Sequence, residues 1–69
     1  MTIEKIKKAY EHSKKRFGDT DLWIIIDLCY RKAIDSFEKD LGQAYVCIRC
    51  AHVCETYIVE DDHAKISEV

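Results

Sequence analysis

The chain contains no proline and only two glycines among its 69 residues. Because all-β folds need turn residues at regular spacing, this scarcity argues against them, and it excludes collagen-like and linker-like chains. Hydrophobic residues make up 48% of the chain and charged residues 35%, which is a globular mixture. A chain of this length forms one small domain at most, near the lower size limit for an independent core. The composition therefore predicts a single helical domain.

Long apolar segments are also missing. The longest, among them Leu22 to Ile26, have five residues, whereas a membrane-spanning helix needs roughly 20. The lysine-rich N-terminus contains no apolar stretch of the length that a secretory signal requires. We therefore expect a cytoplasmic protein that does not enter a membrane and whose cysteines stay reduced.

Motifs for catalysis are absent from the sequence. The chain has no nucleotide-binding glycine pattern, no zinc-protease pattern and no serine-hydrolase pattern. The segment 47–52 misses the haem-attachment pattern because Ala51 stands between the second cysteine and the histidine. We therefore expect a protein that is not an enzyme and needs no cofactor, and the residues match no family motif.

Apolar residues recur at helical spacing in three segments, which predicts helices at 2–17, 20–41 and 43–60. Gly18 is expected to end the first helix in a left-handed conformation, and Gly42 to end the second. The fold class is then all-α: a small three-helix domain over 1–60, arranged as a bundle or as a helical hairpin preceded by an N-terminal helix. Residues 61–69 are expected to form an acidic C-terminal tail. Strand-forming side chains in the third segment leave a β-hairpin as the alternative there.

Each predicted helix has an apolar face that is expected to build the core. The three faces are Ile3, Ile6, Tyr10, Ser13 and Phe17; Leu22, Ile25, Ile26, Cys29, Ala33 and Phe37; and Ala44, Cys47, Ala51, Cys54 and Ile58. The second face is joined at its edge by Trp23, Tyr30, Ile34 and Leu41. Ile24 and Leu28 break the pattern, because they lie one turn apart on the polar side of the second helix. Together with Trp23 they predict an interaction surface that joins two copies in a symmetric dimer, and the alternative is ordinary surface hydrophobes.

Charge is divided unevenly along the chain. Residues 1–18 carry a net charge of +4, and residues 19–69 carry −6. The basic side chains that could meet a partner are Lys7, Lys8, Lys14, Lys15 and Arg16. A solvated face is the favoured interpretation, because Glu4 and Glu11 stand four residues before Lys8 and Lys15. An acidic protein partner and nucleic acid are the alternatives.

The four cysteines are Cys29, Cys47, Cys50 and Cys54. The last three share one stripe of the third predicted helix, and an antiparallel second helix would bring Cys29 level with Cys54. Four thiolates could hold a zinc ion, which small domains often need. Small buried core residues are the favoured interpretation, because free cysteine packs as a small hydrophobe.

Taken together, these patterns predict a small intracellular protein-interaction module: an adaptor, inhibitor or regulator of the kind common in phages and bacteria. It would act by docking to a protein partner of unspecified identity, as a homodimer. The alternative from another class is a zinc-stapled module that binds nucleic acid through the basic first helix.

Overall fold

The computed structural model describes the backbone of residues 2–67 and the side chains of residues 2–60. It contains three α-helices: α1 (Ile3–Phe17), α2 (Trp23–Ser36) and α3 (Leu41–Ser67). The described chain contains no strand. The predicted all-α, three-helix architecture is therefore confirmed, and the hairpin alternative for the third segment is wrong.

Helix α1 is capped at both ends. The Thr2 hydroxyl accepts a hydrogen bond from the Lys5 N–H at 3.4 Å, and the Gly18 N–H donates to the Lys14 carbonyl at 2.9 Å. Gly18 has a φ of −59°, so the expected left-handed conformation is wrong. A side chain at Gly18 would instead collide with the Lys14 carbonyl oxygen. The close approach of the Gly18 backbone to that oxygen explains why this position holds a glycine.

The junction between α2 and α3 differs from the prediction. Helix α2 ends at Ser36, and α3 begins at Leu41, so Gly42 lies in the first turn of α3 and does not end α2. The physical reason is Asp40, whose side chain accepts a hydrogen bond from the Gln43 N–H at 3.2 Å. A carboxylate in this N-cap position satisfies a backbone donor that the new helix leaves free.

Helix α3 is longer than the predicted 43–60. Its backbone stays helical to Ser67, so 61–67, expected as part of an acidic tail, continue the helix. No proline or glycine follows Gly42 to stop it. At 1.5 Å per residue, a helix of 27 residues is about 40 Å long, which accounts for most of the 47 Å long axis of the molecule.

The core lies where α2 packs along α3, and α1 covers one side of this pair. Its buried members are Ile6, Phe17, Ile26, Tyr30, Ala33, Cys47, Ile48, Ala51 and Ile58. The faces predicted for α1 and α3 point inward as expected. On α2 the prediction placed Ile25 in the core, but this side chain is exposed, whereas Tyr30, predicted at the edge, is 1% exposed. The buried face of α2 is rotated toward Tyr30 because Tyr30 meets both neighbouring helices.

Candidate interaction surface

Two aliphatic side chains on α2 point away from the core. Ile24 is 70% exposed and Leu28 is 60% exposed, and Ile25 beside them is also exposed. We call these three residues the α2 strip. For Ile24 and Leu28 this position outside the core was predicted, because both lie on the polar side of the second predicted helix. The structure therefore presents a continuous aliphatic surface on one turn of α2.

Trp23, the residue before this strip, turns toward α1. Its ring is half-buried against α1, with its centroid 5.7 Å from that of Tyr10. Tyr10 in turn meets the ring of Tyr30 edge-on at 6.0 Å. Because the ring of Trp23 turns toward α1, it packs over the core between α1 and α2.

A polar bridge holds this aromatic stack in place. The Tyr10 hydroxyl donates to Asp27 Oδ1 at 2.6 Å, and Arg31 Nε donates to the same oxygen at 3.0 Å. The hydrogen bond from Tyr10 is the main cause that lowers the pKa of Asp27, and the same bond raises the pKa of Tyr10. The ionised carboxylate thus fixes α1 to α2 beside the α2 strip.

A second aliphatic and aromatic surface runs along α3. Val46, Val53 and Tyr57 are 54%, 66% and 67% exposed, and Cys50 between them is also exposed. We call these four residues the α3 strip. In the sequence, its valines and tyrosine indicated only a possible strand. The signal was present, however, in their alternating steps of four, three and four residues.

The four cysteines are free thiols in different environments. Cys47 is buried, Cys29 and Cys54 are partly buried, and Cys50 is exposed. Burial raises the pKa of Cys29, and the nearby thiols of Cys50, Cys54 and Cys47 add to the shift. Among the side chains that the structure describes, no three Cys, His, Asp or Glu residues converge as a metal site requires. Packing at the α2–α3 contact accounts for Cys29, Cys47 and Cys54.

The basic side chains of α1 do not form a single surface. Lys7, Lys8 and Lys15 are exposed around a shallow depression that they share with Glu11 and His12. Arg16 lies over the ring of Phe17, 5.1 Å from its centroid. The charge of Lys14 helps to lower the pKa of Asp27.

The ion pairs expected within α1 do not form. For residues 2–60, the ion pair within 4.0 Å is Arg31–Asp27. The spacing of Glu4 to Lys8 and of Glu11 to Lys15 allows contact, but exposed pairs gain little from holding two long side chains together. These lysines are therefore solvated without a fixed acidic neighbour.

A buried polar cluster joins all three helices. The hydroxyls of Ser13 and Tyr30 donate to the same oxygen of Glu55, at 2.7 and 2.8 Å. A serine beside a carboxylate resembles an activated nucleophile, but Ser13 is only 2% exposed. Burial, followed by the hydrogen bond to Glu55, raises the pKa of Tyr30. One sign of this cluster is visible in the sequence, because Ser13 stands on an otherwise apolar face of the first predicted helix.

Comparisons with family models, with curated proteins and with solved structures find no match to this chain. Within the described residues, no helix is both long enough and apolar enough to cross a membrane. The candidate surfaces therefore have to be interpreted from their own chemistry. They are the α2 strip, the α3 strip and the exposed lysines of α1.

Proposed function

We propose that this protein is a protein-interaction module that works inside the cell as a homodimer and acts by docking. It would serve as an adaptor, inhibitor or regulator of a protein partner. The observation that carries the proposal is the α2 strip, in which Ile24 and Leu28 are the two most exposed large aliphatic side chains of α2.

The surroundings of the strip support a protein partner. An isolated exposed leucine is ordinary, whereas contiguous apolar side chains rimmed by polar groups are typical of protein interfaces. Arg31 and Asp35 continue the line of Ile24 and Leu28 along α2, and both are exposed. This rim carries one charge of each sign, so it favours a partner with an apolar centre and mixed charges over a uniformly charged polymer.

Docking is also better supported than catalysis. The closest approach to a catalytic arrangement is Ser13 beside Glu55, and the serine hydroxyl is enclosed by the three helices that it connects. Substrate would have to part these helices to reach it. The exposed surfaces carry aliphatic and basic side chains, which suit recognition.

The test compares three purified full-length forms as baits: wild type, Leu28→Glu and Val59→Glu. Val59 is a matched control because it is a half-exposed aliphatic residue on α3, outside both strips. A true partner is retained by wild type and by Val59→Glu and is lost by Leu28→Glu. In reconstitution with the purified partner, Leu28→Glu should weaken binding at least about tenfold, as expected for a central interface residue. Equal binding by all three forms would contradict the proposal.

A further inference from the structure

A cavity of about 190 Å³ lies between α1 and α3. It exists because α1 packs mainly on α2 and meets α3 only lightly. Its floor is formed by Ile6, Tyr30 and Ile48, one residue from each helix, and all three are buried. Ala9 on α1 adds the smallest side chain of the wall, so the gap between the two helices stays unfilled there.

The wall of this cavity is mostly apolar. The hydroxyl of Tyr30 already donates to Glu55 at 2.8 Å, so it is not a free donor for a bound molecule. An apolar cavity of about 150 Å³ is large enough to bind benzene, which has six carbon atoms. In proportion, the cavity between α1 and α3 has room for an apolar group of roughly six to eight carbon atoms.

The mouth of the cavity carries nitrogen donors. Lys5 and His52 line it, and both side chains are exposed. No acidic side chain is among the described residues that line the cavity. Within residues 2–60, Lys5 has no acidic side chain within ion-pair distance. A negatively charged group at the mouth can therefore accept hydrogen bonds from the Lys5 ammonium and from a ring N–H of His52.

From this arrangement we propose that the cavity binds an anionic amphiphile, namely a free straight-chain carboxylate of roughly six to eight carbon atoms. The apolar tail lies between α1 and α3 on Ile6 and Ile48, and the carboxylate lies at Lys5 and His52. The volume selects a free short-chain carboxylate over a membrane lipid, because two long lipid tails exceed it. This binding site is separate from the α2 strip, since no residue of the strip lines the cavity.

The first experiment titrates octanoate into the ¹⁵N-labelled full chain and follows the amide signals by NMR. Saturable shifts are expected for Ala9 and Ile48, with a dissociation constant below about 1 mM. From butanoate to octanoate, the affinity should rise about fourfold for each methylene group that the cavity buries. It should level off beyond roughly eight carbon atoms, because a longer tail finds no more cavity to fill. Octylammonium has a similar tail and the opposite charge, and it should bind more weakly than octanoate.

The second experiment changes the two parts of the site separately. Lys5→Glu should weaken octanoate about three- to tenfold and strengthen octylammonium, because it reverses the charge at the mouth. Lys7→Glu is the matched control, because Lys7 is an exposed lysine about 200° round α1 from Lys5 and does not line the cavity. It should leave both affinities unchanged. Ala9→Leu should weaken octanoate at least about tenfold by filling the space that the tail needs. Circular dichroism verifies that each variant is folded.

The remaining outcomes contradict specific parts of the proposal. No saturable shift up to roughly 10 mM octanoate would overturn the binding site. Shifts confined to the surroundings of Lys7, Lys8 and Lys15 would place the anion on the surface and overturn the cavity. Equal affinity for octanoate and octylammonium, unchanged in Lys5→Glu, would overturn the anionic head group. None of these results would affect docking through the α2 strip, which has its own test.

Discussion

At the scale of single residues, two hydroxyl groups share one carboxylate inside the molecule. Ser13 and Tyr30 come from α1 and α2, and both donate to the same oxygen of Glu55 on α3. A buried polar group left without a partner costs more than a hydrogen bond gains. The cluster therefore stabilises one arrangement of the three helices, because only that arrangement satisfies both hydroxyls together.

Tyr30→Phe is expected to lower the free energy of unfolding at neutral pH by about 1.5–3 kcal/mol, the usual contribution of a hydrogen bond to a charged group. The phenyl ring still fills the buried site, so the loss of stability measures the contribution of the hydroxyl group. Urea unfolding followed by circular dichroism measures it. Tyr45→Phe is the matched control, because Tyr45 is exposed on α3, and it should change stability by less than about 0.5 kcal/mol.

Alkaline pH offers a second measurement on the same variant. Burial raises the pKa of Tyr30 above the ordinary tyrosine value, which is about 10. The unfolded chain therefore ionises first, so the stabilisation from Tyr30 is complete below about pH 10 and is lost as pH rises further. Tyr30→Phe should show a smaller alkaline loss of stability than wild type. Equal losses would mean that Tyr30 ionises as readily in the folded protein as in the unfolded chain.

At the scale of the helices, the two glycines have opposite roles. Gly18 ends α1, where a side chain would collide with the Lys14 carbonyl oxygen. Gly42 lies in the first turn of α3, where an added Cβ would lie 3.4 Å from Asp40 Oδ1, an ordinary van der Waals contact. Neither glycine has a positive φ. Local crowding therefore decides what each position tolerates.

Alanine substitutions should accordingly have opposite effects. Gly42→Ala is expected to raise the free energy of unfolding by up to about 1 kcal/mol, because alanine favours the helix more than glycine does. Gly18→Ala should lower it, since the end of α1 must shift to admit the methyl group. Thermal and urea unfolding of the two variants check the signs. A loss of stability in Gly42→Ala would instead support the expected helix stop at Gly42.

The helices were predictable from sequence, and their junctions were less so. Periodicity alone indicates α1 and α3, because Ile6, Ser13 and Phe17, like Ala44, Cys47 and Ala51, repeat on one face. The α2–α3 boundary was not predictable in this way, because a signal that ends a helix and a signal that begins one lie close together. Gly42 resembles a stop and Asp40 resembles a cap, and the hydrogen bond to the Gln43 N–H favours the cap. The rotation of α2 about its own axis depends on where α1 and α3 pack against it. No local sequence pattern contains that information.

At the scale of the whole molecule, apolar and basic surfaces lie on different helices. The exposure of Ile24 and Leu28 was predictable, because apolar residues on a polar face stand out. The α3 strip was not predicted from the sequence. Helix α3 has two apolar faces, and together their residues form an apolar run that resembles a strand. The position of Trp23 required the tertiary structure, because its neighbour Tyr10 lies on another helix.

The exposed lysines of α1 lead to the last prediction, which is that the protein shows no specific DNA or RNA binding at about 0.15 M salt, where the Debye length is about 8 Å. The whole chain has a net charge of −2, and Lys14 acts on Asp27 within the protein. If Lys7, Lys8 and Lys15 each met one phosphate, the slope of log affinity against log salt would be only about −2.7. Such binding is expected at low salt and should disappear near physiological ionic strength.

Fluorescence anisotropy with labelled duplex DNA and single-stranded RNA, titrated at several salt concentrations, measures the affinity for nucleic acid directly. A variant with Lys7, Lys8, Lys14 and Lys15 changed to glutamine should lose the low-salt binding. A control with Lys32 and Lys39 changed to glutamine should keep it, because those exposed lysines lie outside α1. Sub-micromolar affinity that persists at about 0.15 M salt and is abolished only in the α1 variant would favour nucleic-acid binding over docking. The same α1 variant also tests whether the lysines steer an acidic protein partner. If they do, the variant should bind that partner with a lower association rate and with little change in the dissociation rate.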